Sequence, residues 1–155
     1  MSSNWRPDDS LLEKEGGELR GARRVRDALK KHAVETEGRI VTSRDKGMEN
    51  VNEELKRGHM PPGFEQTQVP VALGPEEDVL AFVTTIEPGA ELPEHAHEGA
   101  AIFRLVVAGS VRHRGTELSA GDWMLVPPGE RYGLKAGSGG CTVFHFYFPW
   151  SPGRK

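Results

Sequence analysis

The chain has 155 residues, 36% of them hydrophobic and 28% charged, with a formal net charge of -3; this length fits one folded core, and no apolar run is long enough to cross a bilayer. Lys and Arg total 20 against 23 Asp and Glu, so no basic excess exists to neutralise a phosphate backbone, and nucleic acid and membrane are excluded as expected partners. Cys141 is the only cysteine, which excludes an internal disulfide and a cysteine-rich zinc cage; together with the charged start MSSNWRPDDS it points to the cytoplasm.

Charge is concentrated upstream of Pro61-Pro62-Gly63, with 25 charged residues in positions 1–60 and 18 in positions 61–155. Ten of the eleven aromatic residues lie downstream, and aromatics bury the most area per residue, so the core is expected there. We therefore divide the chain into a charged, partly helical or disordered N-terminal arm, 1–60, and a β domain, 61–155. Residues 1–18, with Gly16-Gly17, read as mobile. Leu19, Ala22, Val25, Leu29 and Ala33 recur at spacings of three and four, a narrow apolar stripe that needs a surface to lie on. A second short helix is expected from Glu49 to Arg57, stopped by Gly58. Short strands follow: Val79 to Ile86, Ala100 to Val107, Ser110 to Arg114, Trp123 to Val126 and Cys141 to Phe148. Gly and Pro turns separate them, and Ala136 to Gly140 reads as a glycine-rich turn. Such punctuation predicts an all-β sandwich or closed barrel, with helices only in the arm.

Two spaced patterns stand out. The first is Gly89, five residues, His95, one residue, His97, eleven residues, Gly109; the second is Gly121-Asp122, four residues, Pro127, one residue, Gly129. Together they resemble the two motifs of the cupin superfamily, over about residues 70–150. The resemblance implies a jelly-roll β-barrel and homodimerisation, with the Phe144, Phe146, Phe148 face or the N-terminal helix as the contact. The chain departs from the family's ligand set at two places. Ile102 stands where the first motif carries a glutamate, and Tyr132 stands where the second carries a histidine. A three-histidine, one-glutamate centre therefore does not transfer to this chain.

On a strand, residues two apart share a face, so His95 and His97 can converge on one divalent transition metal, iron, nickel, zinc or manganese, or on one ligand. A third group is needed, and His145 and Tyr132 are the candidates. The last strand alternates Cys141, Val143, His145, Tyr147 on one face with Thr142, Phe144, Phe146, Phe148 on the other. The spacing His145-x-Tyr147 is also similar to the relay of the thiol dioxygenases, with Val143 in place of their serine. Tyr132 offers a phenol for acid or base work. Arg104 shares the face of Ile102, and a guanidinium inside a barrel calls for an anion, so it is the expected anchor for a substrate carboxylate; a register shifted by one residue would leave it in solvent instead. Glu94 and Glu98 are expected at the surface, and His32 and His59 in solvent.

Three functions compete at this level. One is a metal-dependent, dioxygenase-like oxidoreductase acting on a small organic molecule. Another is a metal-independent isomerase or dehydratase using Tyr132 and a histidine as acid and base, and the third is a small-molecule-binding cupin without catalysis.

Overall fold

The computed structural model describes residues 5–71 and 79–149. The chain opens with a 3-10 turn at Ser10–Leu12 and a two-residue hairpin, β1 (Lys14–Glu15) and β2 (Glu18–Leu19). Helix α1 (Arg20–Lys31) and helix α2 (Met48–Glu54) come next. The remaining elements are β3 (Lys56–Arg57), β4 (Phe64–Gln68), β5 (Leu80–Ile86), β6 (Glu91–His95), β7 (Ala101–His113), β8 (Thr116–Ser119), β9 (Trp123–Val126) and β10 (Tyr132–Phe148). These eight strands form one antiparallel sheet, ordered β3-β4-β5-β10-β7-β8, with β6 paired to β10 and β9 to β7. This is the expected all-β jelly roll, with an N-terminal helix.

The helical stripe behaves as amphipathic periodicity requires, because Val25, Ala28 and Leu29 are buried against Met48, Val51 and Leu55 of the α2 segment. Its last expected member differs. Ala33 lies past the end of α1 in a left-handed conformation, φ 54°, and Val34 takes the buried position. Helix α2 ends at Glu54 rather than Arg57, because Lys56 and Arg57 pair with Thr67 and Gln66 as the first strand of the sheet. Gly21 lets α1 lie against the barrel: a Cβ there would come within 2.6 Å of Leu80 Cδ1. Of the segment expected to be mobile, Trp5, Leu11 and Leu12 pack partly buried against the core, and residues 13–17 are exposed. Residues 1–4 of the arm lie outside the described chain.

Two strands change their inward parity, and this positions the site. In β7, Ile102, Arg104 and Val106 face inward; a register shift between Thr142 and Val143 of the partner strand then brings Val111 inward instead. Such a bulge adds one residue and flips the following side chains. In β10, Tyr132, Leu134 and Ala136 face inward, and after the glycine-rich stretch 137–140 the odd residues Cys141, Val143 and His145 do. The expected glycine-rich turn is therefore an irregularity inside one long strand, just as Ala100–Val107 and Ser110–Arg114 merge into β7. Below the parity change the interior is apolar, with Val106, Val111, Leu134, Ala136, Cys141 and Val143 in one cluster. Above it, the polar side chains collect.

Candidate functional site

The strand register gathers the polar residues at one end of the barrel. Tyr132 on β10 sits opposite His95 on β6, and His145 and Tyr147 sit opposite Arg104 and Ile102 on β7. His95 closes β6, and His97 follows on the connection to β7. His95, His97, Arg104, Tyr132 and His145 are all buried. Arg104 therefore points into the barrel, as the unshifted register predicts. Ile102, in the place of the expected glutamate, is part of the apolar core. Glu94 and Glu98 are exposed.

The two imidazoles are tightly specified. His95 Nδ1 lies 2.7 Å from the Pro93 carbonyl oxygen, which can only accept, so the proton sits on Nδ1. His97 Nδ1 lies 2.6 Å from Asp9 Oδ1, and a carboxylate likewise takes the Nδ1 proton. Both Nε2 atoms then present lone pairs, and these face each other at 3.1 Å. Two like lone pairs at that distance repel unless a proton or a metal cation is shared between them. Two nitrogens, each about 2.0–2.1 Å from one first-row ion and roughly at right angles, are about 3 Å apart. The pair therefore fits a shared cation, and the oxygens on each Nδ1 are the outer partners that orient metal-bound histidines.

Tyr132 Oη accepts from Arg104 Nη2 at 3.0 Å and lies 3.3 Å from His97 Nε2. The Arg104 guanidinium also covers the Tyr132 ring at 5.5 Å. Burial raises the Tyr132 phenol above its ordinary range, although Arg104 opposes the shift. It is held as a proton donor. Desolvation likewise pulls His95 down to about 4, so this ring stays neutral at pH 7. The same cause, with the nearby Arg104 charge, holds His145 well below the usual histidine range. Tyr147 is pushed up by burial and by Tyr132.

Among the described residues no three of His, Cys, Asp and Glu come together as metal ligands. His145 is accordingly not grouped with His95 and His97. It stacks on Phe82 at 5.3 Å and meets Tyr147 edge-on at 5.6 Å. The strand spacing placed it on the inner face, where it lines the same cavity as the pair. Tyr147, in contrast, reaches His97, with ring centroids 5.3 Å apart.

Several site residues were not legible as such. Trp5, Pro7, Asp8 and Asp9 form a strap over the barrel mouth, with Arg57 and His59 beside it. Trp5 packs edge-on against His95 at 5.2 Å and donates from Nε1 to the His59 carbonyl at 3.3 Å. His59 Nε2 lies 2.7 Å from the Arg6 carbonyl oxygen, and Arg57 donates to the Asp8 carbonyl at 3.0 Å. His59 is thus exposed yet anchors the strap, and His32 is partly covered and meets Glu54 at 2.9 Å. Under the strap lies a cavity of about 40 Å³.

Comparisons with known proteins agree with this architecture. The family model of the ChrR Cupin-like domain matches residues 55–151. Among solved structures, KdgF from Halomonas sp. is 25% identical with a TM-score of 0.51, over 63% of this chain and 87% of that one. The structure of Rhodobacter sphaeroides SigE in complex with the anti-sigma ChrR is matched at 23% identity and TM-score 0.50, over 59% and 46% of the two chains. A variant of Bacillus subtilis oxalate decarboxylase is matched at 19% and 0.52, over 62% and 28%. This chain thus spans less than half of the ChrR-complex chain and less than a third of the decarboxylase, and those two likenesses show the fold alone. The search of curated proteins finds no match. No described helix is long and apolar enough to cross a membrane.

Proposed function

Because this chain belongs to the ChrR cupin-like family, whose model covers its β-barrel, we propose that it is a cupin that holds a divalent transition metal on His95 and His97 and acts on a small organic molecule, of carboxylate type, inside the barrel. The observation that carries this reading is the pair of Nε2 atoms facing each other at 3.1 Å, each ring fixed by an oxygen on its Nδ1. Iron, nickel, zinc and manganese all accept such imidazole nitrogens. Tyr132, 3.3 Å from His97 Nε2, stands beside the pair as a neutral phenol rather than a ligand. His145, set apart from the pair, is not proposed as a ligand.

The reaction class is dioxygenase-like oxidation, supported by the buried His145 and the partly buried Tyr147 on one strand face. A cation on the two nitrogens supplies Lewis acidity and open coordination positions. The protein does the rest. Arg104 offers a guanidinium for a substrate carboxylate, and Tyr132, kept protonated by burial, donates a proton that the Arg104 hydrogen bond helps it lose. Trp5 and the strap exclude water. A second reading is favoured by one observation, the absence of a third His, Cys, Asp or Glu ligand among the described residues: Tyr132 and His97 as acid and base of a metal-independent isomerase or dehydratase. A binding cupin without turnover is the reading left if neither chemistry is found.

Elemental analysis of the purified chain tests the proposal. About one first-row metal per chain, lost in the His95→Ala/His97→Ala variant, supports it. A metal-free chain whose activity survives chelation selects the acid–base reading.

We also propose a homodimer through the outer aromatic face. Phe103 stacks between Trp123 and Phe146, and Phe144 and Phe148 extend the row. Trp123 is 58% exposed, an apolar patch of the kind that marks an interface.

A further inference from the structure

In the same cavity as the histidine pair, two buried side chains carry polar atoms without a partner among the described residues. Arg104 is 4% exposed and His145 fully buried, and Arg104 Nε, His145 Nδ1 and His145 Nε2 have no hydrogen-bond partner among the described residues. They sit opposite each other on β7 and β10, and directly opposed residues on one face lie about 5 Å apart at Cβ. A buried guanidinium normally meets a carboxylate; this one meets only the Tyr132 hydroxyl. The carboxylates nearest the mouth are already engaged, Asp9 by His97 and Asp8 by the Ser10 amide and Arg57. Leaving a guanidinium N–H and both nitrogens of a neutral imidazole, one donor and one acceptor, buried and unmet is expensive, most of all for the charged group. That cost points to an occupant.

We propose that Arg104 and His145 form the seat of a small carboxylate anion of one or two carbons, and that the Trp5–Asp9 strap sets this size limit. Charge fits, because the seat offers a fixed cation and an imidazole that can donate from either nitrogen. Gln66 and Thr84, bonded to each other at 3.1 Å, complete its polar wall. Size fits as well. A cavity of about 40 Å³ holds about three waters at 10–15 Å³ each, the heavy-atom count of formate and close to that of acetate. A larger acid enters only if the strap lifts. The seat deepens the carboxylate class of the proposed function, but it does not need the metal.

The test uses the full chain stripped of metal by a chelator, so that a failure of the metal reading does not bear on it. Calorimetric titration with sodium formate, acetate and benzoate should show saturable binding of the first two and none of benzoate. In the 15N-labelled chain, formate should shift the Arg104 Nε–H resonance. Arg104→Met and His145→Phe should each weaken formate by at least about tenfold, and Trp5→Gly should admit benzoate. No binding of formate or acetate to the intact chain, an unmoved Arg104 Nε–H, or formate binding that survives both substitutions would overturn the seat. Benzoate binding to the intact chain, or its exclusion from Trp5→Gly, would overturn the role of the strap.

Discussion

Asp9 gives the sharpest test of how the strap and the histidine pair are joined. Its carboxylate lies 2.6 Å from His97 Nδ1, while the side chain remains 38% exposed. Outer partners of metal-bound histidines change affinity by about 10- to 100-fold when removed. Because water screens one side of this carboxylate, the lower end applies, so Asp9→Ala should weaken zinc binding about tenfold, or about 1.4 kcal/mol. Asp9→Asn keeps a neutral oxygen acceptor and should lose only part of that. Competition against a chromophoric chelator at pH 7 measures both. A zinc affinity in Asp9→Ala equal to that of the unaltered chain, with His97→Ala clearly weakened, would refute the claim that the strap orients the ligand. If the unaltered chain takes up no zinc, the metal proposal itself fails.

Other consequences can be checked separately. His95 is held at about 4 against about 6.5 in an unfolded chain, so the unfolded state binds more protons between those values and stability must fall as pH drops from about 6.5 to about 4, by up to about 3 kcal/mol; denaturant unfolding at several pH values should show this slope, and His95→Gln should flatten it. Arg104→Met removes a buried charge that no carboxylate neutralises, and should leave the thermal midpoint of the ligand-free chain unchanged or raised; a drop equivalent to more than about 2 kcal/mol would argue that Arg104 is structural. At Gly109, φ 73°, a Cβ would overlap the Gly140 carbonyl oxygen, so Gly109→Ala should cost at least about 1–3 kcal/mol, measured by urea unfolding. Trp123→Glu should turn a dimer into a monomer in sedimentation, and a monomeric unaltered chain would dispose of the proposed interface.

Much of the architecture could be read from local chemistry. The turn glycines and prolines separated the strands, and their offsets from His95 and His97 located the two motifs. Alternation grouped Arg104 with Ile102 and His145 with Tyr147 but left the register of Arg104 open, and the structure takes the inward one. Alternation failed where a strand changes parity: Ala136 to Gly140 looked like a turn because three glycines and a serine carry no inward or outward signal. His145 shared the inner face and the cavity but does not group with the pair, since period-two reasoning says nothing of distances between strands. Asp9 was beyond reach for a different reason. It meets His97 across 88 residues of sequence, in a stretch whose charges resemble any solvated segment, and no local pattern signals such a contact. The strap illustrates tertiary structure overriding composition.

The order of strand pairing has a consequence for how the molecule is made. β10, the last strand, hydrogen-bonds to β5, β6 and β7, so three earlier strands wait for it. On the ribosome the α1–α2 pair can collapse on its own short-range contacts, but the sheet cannot close until Phe148 has emerged. Until then β5 and β7 lack their shared partner strand, so a chain cut short of β10 should lose far more of the barrel than the missing length suggests.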